Sequence, residues 1–526
     1  MHAVALRAGF LAFALLLAAC GGGREAFVDD RYDAASSDRL FTEAFGHLAD
    51  NYIEVVNFRD ISVAGLNALA EFDEKVRATA SDNGGYALEV DGAQPAAFKP
   101  PRGGDPRGWA RQLSQAVATA RASSPGVGAA EPDAIYTAVL TGVTGQLDAF
   151  SRYEPPKRAS ESRARREGYG GIGVTISDVD DQTVIQEVMP ETPAEAAGLE
   201  TGDVITHADG VALKSLPKED RAERLRGPIG ATVAVSIFRQ GVAPFTVNIR
   251  REEIVPTTVY FERDKDLPRF RITSFSRNTA DSLAAAIAAA DYETGGLDGI
   301  VLDLRGNPGG YLTQAIEVAD LFLEGGVVVS THGRHPSSSN AYRASAGVVA
   351  EGKPLILLID GRSASASELL AAALVDAGRA VAVGSVTYGK GSIQNLDELA
   401  NGGELIVTWS RMHAPSGYLL DGLGVRPTVC TSYAKGGETP DMMLRHAAHD
   451  AGQALTWRAY VKPDKTAADQ LRALCPKVDA GGDADLDVAR LLLRDRNAYE
   501  ATLSPSAPPA RHAWAPKSVW LHGENG

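Results

Sequence analysis

Apolar positions at helical spacing open the readable part of the chain. In DRLFTEAFGHLADNYIEV, Leu40, Phe41, Phe45, Leu48 and Tyr52 fall on one face of a 3.6-residue repeat. PDAIYTAVLTGVTGQLDAFSRYEPP is a second helical stretch, ended by Pro155-Pro156. Between them residues 80–130 are rich in Gly, Pro, Ser and Ala, and read as an insertion or long loop within a helical region spanning 31–165. Over 166–254 the period changes. Short β-branched runs (GIGVTI, TVIQEVM, DVITHADGVAL, ATVAVSIF, FTVNIRR) are each of strand length and alternate with glycine turns. Over 255–435, apolar strands such as Gly299–Leu304 and KPLILLID alternate with helices such as YLTQAIEVADLFL and ASELLAAALVDAG, and ELIVTWSRMHAPSG closes the set as a strand. That order predicts an α/β unit with a largely parallel sheet, its reactive groups on loops beyond the carboxyl ends of the strands. Residues 436–526 hold helical pieces, and the last twenty residues are expected to be poorly ordered. The fold class is therefore mixed α/β and α+β in several domains.

Composition narrows the function. With 526 residues, 44% of them hydrophobic, the chain is long enough for two to four domains, and a net charge of −15 argues against nucleic acid as a partner. No internal apolar run approaches the ~20 residues that span a bilayer. The start, MHAVALRAGFLAFALLLAACGGG, has Arg7 ahead of an apolar run and small residues after it, the pattern of a secretory signal peptide. Leu17-Ala18-Ala19-Cys20 resembles a bacterial lipobox. That likeness implies a signal peptide over 1–19, lipid on Cys20, a tether over 20–30 and attachment to a membrane surface without a spanning helix. Gly21, with no aspartate after the cysteine, points to the periplasmic side of a Gram-negative outer membrane. An ordinary signal peptide that contains a cysteine is the plainer alternative. Cys430 and Cys475 are either a disulfide or two separate buried thiols. No Cys/His cluster has ligand spacing, so neither metal nor cofactor is expected.

Two stretches carry chemistry. GSVTYGKGSIQ fits part of a phosphate loop, through Gly384, Gly389 and Lys390, but Gly391 stands where a magnesium-binding hydroxyl belongs. DGRSASASELLAAAL follows an apolar strand and opens a helix, where free N–H groups and the helix dipole can stabilise an oxyanion. Ser363, Ser365 and Ser367 compete there for the role of nucleophile, and a serine before a helix is also an ordinary N-cap.

Together, SASASELLAAALVDAGRAVAVGSVTYGKGSIQ strongly resembles the carboxy-terminal processing peptidases, the tail-specific serine endopeptidases of family S41. The resemblance implies that Ser365 is the nucleophile, that Lys390, 25 residues on, is the general base, and that Gln394 assists it. A lysine near its ordinary pKa of ~10.4 is a poor base at neutral pH, so the role requires burial, which Val386, Tyr388 and Ile393 around the turn suggest. For the oxyanion hole the candidates are the N–H of Ala366 and, from DLRGNPGG, that of Gly310 with Gly309 close behind. Residues 166–254 resemble a PDZ domain. Gly170-Gly171-Ile172-Gly173-Val174 matches its carboxylate loop, and Val174, Ile176 and Leu225 would line a groove that accepts an extended peptide tail.

The likeness covers about 35–435, with 80–130 and the tail unmatched, and departs at Thr428, where the family usually has aspartate. It implies a periplasmic serine endopeptidase acting on proteins recognised by their C-termini. The alternative is a non-catalytic or latent tail-binding scaffold that needs an adaptor. Relatives commonly form homo-oligomers or work with a helical-repeat adaptor lipoprotein, and no motif here addresses either. A β-lactamase-like acyltransferase would need S-x-x-K, S-D-N and K-T-G, which do not occur as a coherent set.

Overall fold

The computed structural model describes residues 33–264, 267–345, 349–433, 438–449, 451–461, 464–479, 482–503 and 517–520. The assignments made for the leader, for Cys20 and for most of the last twenty residues lie outside that set.

The N-terminal region packs α1 (Ala34–Asn51), α2 (Phe58–Asn67), α3 (Pro106–Ser123) and α4 (Pro132–Thr144) around one apolar core. The long loop expected over 80–130 is instead structured. Helix α3 is a core helix. Asp105 caps it by accepting from the N–H groups of Arg107 and Gly108, and Pro106 sits at its first turn. Its buried face is Trp109, Leu113, Ala116, Val117 and Ala120, and Ser114 donates to Ser37 of α1 at 3.1 Å. Strands β1 (Val76–Ala80), β2 (Tyr86–Val90) and β3 (Ala96–Phe98) form an antiparallel sheet whose Tyr86 ring stacks on Phe98 and Trp109. The small residues that fill this region mimic loop composition, but here they allow close helix packing.

A short strand, β4 (Arg152–Glu154), and a linker helix, α5 (Pro156–Glu167), lead to the PDZ domain. Its sheet runs β9-β8-β7-β6-β5, all antiparallel, from β5 (Val174–Val179), β6 (Gln182–Val188), β7 (Val204–Ala208), β8 (Thr232–Phe238) and β9 (Phe245–Arg250). Helix α6 (Lys218–Leu225) flanks β5, which lies at the sheet's edge.

The core sheet is ordered β10-β11-β12-β15-β16-β19, and four of its five pairings are parallel. Its strands are β10 (Val259–Asp264), β11 (Leu267–Ile272), β12 (Ile300–Asp303), β15 (Leu355–Ile359), β16 (Val381–Gly384) and β19 (Val429–Cys430). Both faces of a parallel sheet must be covered. On one side lie α7 (Thr279–Thr294), α8 (Leu312–Asp320) and α9 (Ala366–Asp376). On the other lies α10 (Asp483–Arg494), whose Val488, Ala489 and Leu492 pack on Val301, Ile356, Leu358 and Val383. The C-terminal segment is thus one cover of the sheet. A disulfide joins Cys430 to Cys475 with Cα atoms 5.9 Å apart.

The closing strand does not join this sheet. A second sheet is ordered β17-β18-β13-β14-β20, from β13 (Gly326–His332), β14 (Asn340–Ala344), β17 (Ser392–Glu398), β18 (Glu404–His413) and β20 (Lys517–Trp520). Strand β20 pairs parallel with β14, so four of the last twenty residues form an edge strand. Strand β4 pairs with β18, matching Tyr153 to Leu405, and Leu405 and Val407 belong to the N-terminal core. The N-terminal region is thereby fused to the sheet that carries Gln394.

Candidate active site

Strand β15, buried along its whole length, is followed by Asp360, whose Oδ1 accepts the N–H groups of Gly306, Arg362 and Ser363 at 2.9–3.0 Å. This carboxylate ties the serine turn to the glycine turn after β12. The three serines then separate. Ser363 Oγ is buried and donates to Leu304 O at 2.8 Å, and Ser367 Oγ is buried and donates to Asn307 O at 3.0 Å. Ser365 is partly exposed, its hydroxyl donates to no acceptor among the described residues, and it stands at the N-terminus of α9. Its φ of 56° lies in the left-handed region, a conformation that costs a non-glycine residue about 1–3 kcal/mol and that surrounding structure must enforce.

Glu368 supplies that enforcement, and sequence reasoning did not assign it a role. Its fully buried carboxylate takes four hydrogen bonds. Oε2 accepts Ser365 N–H and Lys390 N–H, each at 2.8 Å, while Oε1 accepts Gly389 N–H and Thr387 Oγ1, each at 2.5 Å. Burial pushes its pKa up, against the four donors. The SASE motif held the clue, because a glutamate three residues into a helix reaches back to the cap.

Lys390 follows β16 in the turn that leads to β17. Burial, with Arg152 adding repulsion, lowers its pKa to about 8. Tyr388 points outward and Val386 is buried, so only part of the expected apolar surround comes from this turn. Gly391 is required here, because a Cβ would stand 1.9 Å from Asp421 N. No hydrogen bond joins Lys390 Nζ to Ser365 Oγ; the ammonium lies over the Phe150 ring, 5.3 Å from its centroid. Gln394 is on β17 but donates to Ser392 Oγ at 2.8 Å and Thr408 Oγ1 at 3.4 Å, with no bond to Lys390.

The two oxyanion candidates differ from Gly309. Gly309 N–H is taken by Asn307 Oδ1 at 2.8 Å. The N–H groups of Gly310 and Ala366 make no hydrogen bond among the described residues. A Cβ on Gly309 would lie 2.9 Å from Ser365 Cβ, so the glycine turn abuts the serine directly. Thr428, where the sequence departs from its family, accepts Ala382 N–H on β16 at 3.3 Å.

In the PDZ domain a groove of about 270 Å³ is lined by Gly171, Ile172, Gly173, Val174, Ile176 and Leu225 together with Tyr169, Arg165 and Arg226. The N–H groups of Ile172 and Gly173 donate to no acceptor among the described residues. Two adjacent free donors beside a free strand edge suit a terminal carboxylate and an added peptide strand.

A serine capping a helix N-terminus, together with a grooved module of PDZ architecture, points to a serine-type peptidase that carries a PDZ domain. Residues 269–431 match the model of peptidase family S41, and residues 170–249 match that of a PDZ domain. The carboxy-terminal-processing protease of Bartonella bacilliformis is 35% identical over 294 residues, covering 55% of this chain and 68% of that protein. The carboxyl-terminal-processing protease of Picosynechococcus sp. is 32% identical over 330 residues, 60% of this chain and 78% of that protein. The carboxy-terminal processing protease CtpA of Bacillus subtilis is 29% identical over 362 residues, 68% of this chain and 75% of that protein. The chain belongs to peptidase family S41, the carboxy-terminal-processing proteases.

Proposed function

We propose that the chain is a periplasmic, lipid-anchored endopeptidase that cuts proteins whose C-terminal tails its PDZ domain holds, using Ser365 as nucleophile and Lys390 as general base. One observation carries this reading: a single buried carboxylate oxygen, Glu368 Oε2, binds the backbone of both residues. The neutral Lys390 amine takes the Ser365 Oγ proton as Oγ attacks the scissile carbonyl, and the N–H groups of Gly310 and Ala366 receive the oxyanion. The tail's carboxylate is held by Ile172 and Gly173, and its last side chain meets Val174, Ile176 and Leu225. Gln394 orients the lysine once the side chains have turned toward each other. Lipid on Cys20 tethers the enzyme, and an adaptor or a second copy of the chain are its expected partners.

A latent resting form is the second reading. The absence of a Ser365–Lys390 hydrogen bond favours it, since a scaffold or latent peptidase would need tail or adaptor binding to align the pair. The test is cleavage of β-casein by residues 21–526, compared with Ser365→Ala and Lys390→Ala. Cleavage by the unsubstituted chain alone supports the dyad. Equal cleavage by all three removes it. If none cleaves, the latent or scaffold reading takes its place.

A further inference from the structure

We propose that Phe150 is a positioning residue for Lys390: its ring is the seat of the protonated lysine and keeps it off Ser365 until the proton has left. This rests on the reading of Lys390 as general base.

The ring is brought to the site from far away in sequence, and it is held firmly. Asp148 accepts from Phe150 N–H at 2.8 Å, Ser151 N–H at 3.1 Å and Ser151 Oγ at 2.6 Å, which fixes the tight loop that presents Phe150. The same carboxylate accepts Thr408 Oγ1 at 2.9 Å, and Thr408 N–H donates to Ser151 Oγ at 3.0 Å. The loop is therefore pinned to β18, the strand beside Gln394. The neighbouring β4–β18 pairing makes the same join a second time.

Against this fixed ring the lysine has little else to bind. Its Nζ donates no hydrogen bond among the described residues and lies 5.3 Å from the ring centroid, within the range of a cation–π contact. The charged groups that face it are Asp148 of the loop, Arg152 of β4 and Glu368 of α9. Arg152 repels the ammonium, while Asp148 and Glu368 attract it. Both carboxylates are already occupied by other donors, through Thr408 and Ser151 in one case and through four donors in the other. The ring face is the partner left, and it discriminates by charge. It attracts an ammonium through its quadrupole and has no comparable hold on a neutral amine. Loss of the proton to solvent thus releases the side chain, and the freed lone pair is the one that Ser365 Oγ–H needs.

The experiment is the pH dependence of kcat/KM on fluorescein-labelled casein, for the unsubstituted chain and for Phe150→Leu, Phe150→Trp and Lys390→Ala. Leucine keeps an apolar neighbour but removes the quadrupole. The ascending limb should move to lower pH by roughly half a unit or more, since a cation–π contact no longer favours the charged form. Tryptophan, the strongest cation–π partner, should move it to higher pH. If both limbs coincide with that of the unsubstituted chain, or both move the same way, the proposal is overturned. Lys390→Ala separates the two levels. If it is inactive while the Phe150 variants leave the limb in place, only the role of Phe150 fails. If it is fully active, the general-base reading fails and takes this inference with it. Should Phe150→Leu not fold, Phe150→Trp and Phe150→Tyr carry the test, and tyrosine should keep the limb of the unsubstituted chain.

Discussion

Glu368 Oε2 accepts the backbone N–H of Lys390 at 2.8 Å while also accepting that of Ser365 at the same distance. The acid and the lysine are thus joined through the main chain, so the turn that presents the lysine is fixed whatever its side chain does. Glu368→Gln preserves size but turns two of the acceptor sites into donors facing N–H groups. The expected outcome is a fall in kcat of about 100-fold, the scale that a misplaced catalytic group costs, with KM little changed. Steady-state kinetics on casein peptides checks this, and an equal loss in KM would assign Glu368 to substrate binding.

Lys390 makes a second prediction with a definite sign. Its pKa falls from 10.5 to about 8, chiefly through burial. Activity should therefore rise with pH and level off above about 8. For stability, the folded chain binds fewer protons here than the unfolded chain between those two values. The cost of the buried charge is present in full below pH 8 and is lost as pH rises toward 10.5. Lys390→Met should raise stability at pH 7 by about 1–3 kcal/mol and by much less at pH 10. Urea titrations at the two pH values decide it.

The PDZ groove predicts dependence on a free carboxylate. A decapeptide with an apolar last residue should bind, and its C-terminal amide should bind at least about tenfold more weakly, because two N–H donors lose their charged partner. Ile176→Asp should weaken the acid peptide similarly by placing a charge in the groove. Fluorescence anisotropy reads both; equal affinity for acid and amide would move the tail's anchor elsewhere.

The disulfide predicts a stability effect. Opening the link between Cys430 and Cys475, 45 residues apart, should cost roughly 4 kcal/mol on chain-entropy grounds. The segment after Cys475 also donates and accepts at the active-site loops, through Gly361 N–H to Val478 O at 2.7 Å and Val478 N–H to Ser385 Oγ at 3.1 Å. Cys430→Ser/Cys475→Ser should therefore lower the denaturant midpoint and reduce kcat together. A midpoint shift without a change in kcat would show that these loops hold without the link.

What the sequence disclosed follows from range. The PDZ strands and the β15–α9 turn announce themselves because each is a local pattern, a strand-length apolar run beside a glycine or a helix cap. Helix α3 did not, because its face is built from Ala116, Ala120 and other small residues whose composition is also that of a loop. The apolar run of β18 fits either sheet, and only its hairpin with β17 and its pairing to Arg152–Glu154 decide between them. At the site, Ser365, Lys390 and Gln394 lie in one stretch of motif. Phe150 and Asp148 join them from more than two hundred residues earlier, a closeness that no spacing rule reports.

That separation also sets a timetable. Asp148 and Thr408 are 260 positions apart, and the loop that faces Lys390 has no seat until β18 has been made. A chain made from its N-terminus holds the Phe150 loop long before it holds the strand residue that pins it. The surround of Lys390 is therefore closed only when both ends of that span have been made.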